Sequence, residues 1–161
     1  MDQSSLPSYL KSIESLIQSG TPQHVVKGAP TLEPSGQIVI KDNKKLQFMI
    51  VGTHCHQFTG YSKVTWGIIQ QLAKLSWLQV THFGFQKFNN IPQNYRTYPS
   101  NVDVIDAAAL EKAAAPTLQQ QGQGFGFSQL PEIIRKKQPN VIMIYNDMSV
   151  VSKFLEEIRK N

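Results

Sequence analysis

Two stretches of this chain carry side chains of types that do chemistry, and a third has a suggestive glycine spacing. The first stretch is Gly52-Thr53-His54-Cys55-His56-Gln57, followed closely by Thr59-Gly60-Tyr61-Ser62. A histidine at the end of a strand can act as a general base or hydrogen-bond a sugar hydroxyl. His54 and His56 are therefore candidate catalytic residues, beside the plainer reading of polar loop histidines. Gly60 permits a tight turn and a close backbone approach, and Ser62 can cap the helix that follows, its amides facing a phosphate. A plain helix cap is the alternative. The second stretch is Asn146-Asp147, just past an apolar run, where Asn146 could contact a ligand. Asp147 is either a catalytic group of the same crevice or the N-cap of the last helix. The third holds Gly122, Gly124 and Gly126, spaced like a phosphate loop. No strand precedes them closely, so a flexible surface loop is expected.

Several chemistries find no support. His54-Cys55-His56 offers ligands one residue apart with no second Cys/His cluster to complete a tetrahedron, so no metal site is expected. Nothing marks Cys55 as a nucleophile. Neither G-x-G-x-x-G nor G-x-x-x-x-G-K-[ST] occurs. Tyr61, Trp66, Tyr95 and Tyr98 could stack on a sugar or base, although Trp66 sits in a helical pattern and reads as core.

The surrounding pattern must position these groups. Leu46 to Val51 is a short apolar run, as in a strand buried on both faces of a parallel sheet. Val64, Ile68, Leu72 and Leu75 then recur at helical spacing and predict one apolar stripe. Gln79–Phe85 reads as a second strand, at a distance from the first that suits a right-handed crossover. Gln86 to Asn101 reads as an exposed loop, Val102–Asp106 as a third strand and Ala107–Ala115 as a helix stopped by Pro116. Leu118–Phe127 is a Gln/Gly-rich break, and Ser128 is expected to cap a helix bearing Leu130, Ile133 and Ile134. Val141–Tyr145 is a buried strand, and Val150, Val151, Phe154, Leu155 and Ile158 form the stripe of a last helix. Ahead of all this, residues 1–36 read as a short helix over Met1–Gly20 and a linker rich in Pro and Gly. Gln37–Ile40 reads as an antiparallel edge beside the Leu46 strand. The expected architecture is α/β: a Rossmann-like parallel sheet over residues 37–161 with helices on both faces.

The totals narrow the field. The chain has 161 residues, 40% hydrophobic and 17% charged, which fits one globular domain with a real core. Its net charge of +5 is spread in short clusters, without the basic stripe and interleaved aromatics of a nucleic-acid binder. One cysteine allows no intrachain disulfide, and no signal peptide or transmembrane run is evident, so a cytoplasmic protein is expected.

From Thr53 to Phe85 the chain resembles a known family. The order of a strand, T-G-Y-S-K-V-T at 59–65, a helix ending in L-A-K-L and then V-T-H-F-G-F is similar to the N-terminal domain of retaining, family-4-type glycosyltransferases with the GT-B fold. That family usually carries two glycines before the first helix, whereas here Gly60 stands alone with Tyr61 beside it. The I-M-I-Y-N-D run ending at Asp147 resembles the step that lines the family's cleft. The resemblance spans about Leu46 to Lys160. It implies an acceptor-side domain that works with a nucleotide-sugar donor and a sugar or glycan acceptor, with no cofactor. His54, His56, Asn146 and Asp147 would line the cleft, and Thr59, Gly60, Tyr61 and Ser62 would approach the donor diphosphate. The family's E-x7-E pair does not occur here in any stretch with the right context, so a partner C-terminal domain is expected to supply the donor site, and little turnover by this chain alone. Two other readings stand beside it: a stand-alone nucleotide-binding module and a non-catalytic interaction domain with the same fold.

Overall fold

The computed structural model describes residues 31–32, 38–39, 44–90, 92, 95–115 and 123–161. Its elements are β1 (Thr31–Leu32), β2 (Ile38–Val39), β3 (Leu46–Thr53), α1 (Gly60–Leu72), β4 (Leu78–Phe85), β5 (Asp103–Asp106), α2 (Ala107–Ala114), α3 (Leu130–Lys137), β6 (Val141–Tyr145) and α4 (Met148–Lys160). Four strands form one parallel sheet in the order β5-β4-β3-β6. The chain winds outward from β3 through β4 to β5, then returns past β3 to form β6. This Rossmann-like reversal opens a crevice at the carboxyl ends of β3 and β6. The expected helix at Met1–Gly20 lies outside the described residues, as does most of the linker.

Each face of the sheet has its own apolar layer, as strand alternation requires. Met49, Val51, Phe83 and Phe85 point to one face, where Ala107 of α2, Leu130 of α3 and Val150 and Phe154 of α4 cover them. Phe154 is fully buried with its ring centroid 5.4 Å from Phe85 and 4.6 Å from Phe127. Emptying such a site costs about 3–5 kcal/mol. On the other face Ile50, Leu78 and Val80 meet Ile69 of α1, with Trp66 and Leu72 packed alongside. Helices on both faces are therefore present.

The structure corrects several local expectations. Ile38–Val39 does not flank β3: it pairs antiparallel with Thr31–Leu32 in a separate two-stranded sheet, and β3 is central, between β4 and β6. The fully buried positions of α1 are Ser62, Thr65 and Ile69. Of the expected stripe, Ile68 and Leu72 pack half-buried against the core, Leu75 does so from beyond the helix, and Val64 is 43% exposed. The reason is the close approach of helix and strand, since a Cβ on Gly52 would lie 3.1 Å from Thr65 Oγ1. Only small side chains fit between them there. Helix α3 starts at Leu130 with Gln129 as N-cap and no side-chain cap, so Ser128 does not serve.

The glycine-rich break is also tied down where it is described. Gly124 and Gly126 adopt φ of +75° and +65°, and their amides both donate to the buried Glu111 carboxylate at 2.9 Å. Phe125 and Phe127 pack on the core beside them. The phosphate-like spacing at these two positions thus wraps a carboxylate of the chain itself. Gly122 lies outside the described residues.

Candidate functional site

Parallel pairing brings the ends of β3, β4 and β6 to one edge of the sheet. Thr53 pairs with Phe85 and Gly52 with Tyr145, so the loops that follow start side by side. Asn146 Nδ2 donates to Thr53 Oγ1 at 3.0 Å, which ties the β6 exit to the β3 exit across the reversal point. The Tyr61 and Tyr145 rings meet edge-on there, at 5.7 Å. Asn146, Tyr61 and Gly60 are thus gathered on one rim.

The entry of α1 is built by a network around Gln57. Thr59, not Ser62, is the N-cap: its Oγ1 accepts from Ser62 N–H at 3.3 Å. Ser62 is fully buried, and its hydroxyl donates to the carbonyls of Gln57 and Thr59 while accepting from Arg96. It holds the loop and does not face the crevice. Gln57, 7% exposed, donates through Nε2 to Gln86 O at 3.0 Å. Gln86 and Arg96 have left-handed φ of 55° and 42°, conformations rare for such residues and found where surrounding bonds impose them. The amides of Gly60 and Tyr61 open the helix without an acceptor among the described residues.

The two candidate histidines are placed differently. His56 is partly exposed, and burial followed by the Lys87 charge lowers its pKa. His54 is only 2% exposed, and its Nδ1 accepts from His56 N–H at 3.1 Å. Burial, then the neighbouring His56, pushes its pKa down to about 4. It is neutral near pH 7, with Nδ1 already engaged. Its ring stacks 6.1 Å from that of His82, a residue of β4. A Cβ on Gly84 would sit 2.6 Å from His54 Cδ2, so this packing requires glycine there.

His82 and Tyr98 complete the cluster. Tyr98 Oη accepts from Cys55 N–H at 3.1 Å and lies 2.9 Å from His82 Nδ1. His82 Nε2 is buried without a hydrogen-bond partner among the described residues. Burial, then His54, pushes the His82 pKa down to about 3. The Tyr98 hydroxyl is pushed up, chiefly by burial, and burial raises the Cys55 thiol to about 11, so the thiol stays protonated. Residues 95–102 therefore are not a free loop: Tyr98 and Val102 pack on the core, and Asn101 Nδ2 donates to Ala73 O at 2.8 Å. The signal available in the sequence was His82 itself, a polar side chain in an apolar strand, which needs a buried partner.

Asp147 caps α4. Its carboxylate accepts from Val150 N–H at 3.1 Å and from Ser149 Oγ at 2.6 Å, and these bonds, the Ser149 one first, lower its pKa. Its carboxylate partners among the described residues are Ser149 and Val150, and neither His54 nor His56 hydrogen-bonds to it. Among the described residues no three His, Cys, Asp or Glu side chains are grouped to hold a metal ion, and no helix is long and apolar enough to cross a membrane. No known protein-family model matches the sequence, and no curated protein shows significant similarity to it.

Proposed function

We propose that this chain is the acceptor-side domain of an enzyme that transfers a sugar from a nucleotide-sugar donor. The observation that carries the reading is the rim at the reversal point, where Asn146 is bonded to Thr53 and the amides of Gly60 and Tyr61, without an acceptor among the described residues, open α1. Ligands of open α/β sheets bind at this place, and a helix N-terminus favours the negative charge of a diphosphate. The resemblance of the order of motifs over residues 46–160 to the N-terminal domain of family-4-type glycosyltransferases supports the choice of a nucleotide sugar as substrate class. Under this reading a second domain contributes most donor contacts, while this chain presents the acceptor. His54 is then a buried support of the loop, and His56 is the histidine with access to the cleft. Asp147 acts through its cap of α4 rather than on substrate.

The test is an amide-resolved NMR titration of the chain with uridine diphosphate sugars, free uridine diphosphate and a set of methyl pyranosides. The expected result is a response of the Gly60, Tyr61 and Asn146 resonances to a nucleotide sugar, and of the neighbouring loops to a pyranoside. Resonances that stay fixed with every probe would refute the assignment. A response to free nucleotides alone would point instead to a nucleotide-binding module.

A further inference from the structure

Outside the histidine cluster, large aromatic side chains are held out in solvent at the carboxyl edge of the sheet. Phe58 is 58% exposed and Phe88 is 45% exposed. Their ring centroids lie 6.1 Å apart, and Tyr95 stands 4.8 Å from Phe58. None of the three is loosely tethered. Phe58 sits between the buried Gln57 and the capping Thr59, and Tyr95 Oη donates to Gln57 O at 3.4 Å. Arg96 lies 4.8 Å above the Tyr95 ring while it also donates to Ser62 Oγ. Phe88 follows Lys87, which is fixed by its ion pair with Asp106 at 3.1 Å. Phe58 and Phe88 thus form one contiguous exposed apolar patch on a pinned pair of loops.

We infer that Phe58, Phe88 and Tyr95 form a platform that seats one pyranose ring of the acceptor sugar. This inference rests on the reading of the chain as an acceptor-side domain and names the residues that recognise the acceptor. A pyranose has an apolar face of C–H bonds and a rim of hydroxyls, so it needs an aromatic floor bordered by polar groups. Arg96, 4.8 Å over the Tyr95 ring, supplies a polar border, and Gln86 and Lys87 immediately precede Phe88 in the chain. The ring angles favour this occupant over a nucleobase. Phe58 is tilted 47° from Phe88 and 56° from Tyr95, so the three rings do not form the parallel slot a flat base would fill.

Saturation-transfer NMR on the full chain tests this, with methyl glycosides of glucose, galactose, mannose and N-acetylglucosamine, and with uridine monophosphate as the base-bearing probe. The expected result is transfer to the ring C–H protons of at least one pyranoside, weakened about tenfold in affinity by Phe58→Ala and separately by Phe88→Ala. Both side chains are exposed, so unchanged circular dichroism and melting temperature confirm that the variants are folded. Transfer that survives both substitutions overturns the platform, as does transfer confined to the uracil protons. If pyranosides still move the amides of the loops beside Gly60 in Phe58→Ala with undiminished affinity, the platform fails while the acceptor-side reading stands. If no probe is bound anywhere, both fail.

Discussion

Lowering the pH from 8 to 5 should remove about 4 kcal/mol of folding stability, because two neutral imidazoles are sealed beside each other at the end of β3 and β4. The perturbation acts on His54 and His82, whose folded pKa values lie near 4 and near 3 against 6.5 for an ordinary histidine. Both folded values are below the unfolded one, so the unfolded chain binds more protons throughout the interval between them. Stability is therefore complete above the ordinary value and falls as the pH drops through it toward the folded values. One pKa unit corresponds to about 1.4 kcal/mol, and integrating down to pH 5 gives roughly 2 kcal/mol for each histidine. Against a typical total of about 5–15 kcal/mol, that loss is large. Burial is the leading cause for both, and their mutual proximity adds to it, with the rings 6.1 Å apart. The assay is urea denaturation followed by far-UV circular dichroism at both pH values, with the imidazole Cε1–H shifts titrated in parallel. His82→Leu removes one of the two groups and should roughly halve the pH-dependent loss. A midpoint unchanged between pH 8 and pH 5, or Cε1–H shifts that titrate near 6.5 for both residues, would refute the reasoning.

Two further predictions concern the same cluster. Gly84→Ala places a Cβ 2.6 Å from His54 Cδ2 and should destabilise the fold by about 1–3 kcal/mol, read as a lower urea midpoint; a midpoint equal to the wild type would show that His54 does not occupy this position. Tyr98→Phe keeps the ring but strips the acceptor from Cys55 N–H, a loss of about 1–3 kcal/mol accompanied by faster hydrogen exchange at the Cys55 amide. Unchanged exchange there would mean that the hydroxyl does not pin the loop.

The sequence by itself determined the elements and their class. The apolar run at Leu46–Val51 was legible as a strand covered on both faces. Val141–Tyr145 was legible as a strand, though it forms the half-exposed edge of the sheet with Val141 41% exposed. The stripe of Val150, Val151, Phe154, Leu155 and Ile158 was legible as one face of a helix, although Leu155 is left exposed, because burial imposes its period on the residues that meet the core. Asp147 was legible as a cap, since a short acidic side chain before such a stripe satisfies a free amide within three residues of itself. These are local relations. The site was not local. Tyr98 meets His82 across 16 residues and Cys55 across 43, and Asn146 reaches Thr53 across 93. The face of α1 that is buried, the glycine demanded at position 84 and the carboxylate inside the Gly124–Gly126 turn depend likewise on close approaches between separate elements. No periodicity encodes such pairs. Only the parallel alignment of β3, β4 and β6, which sets their carboxyl ends at one edge, decides which polar groups share a buried space and must satisfy one another there.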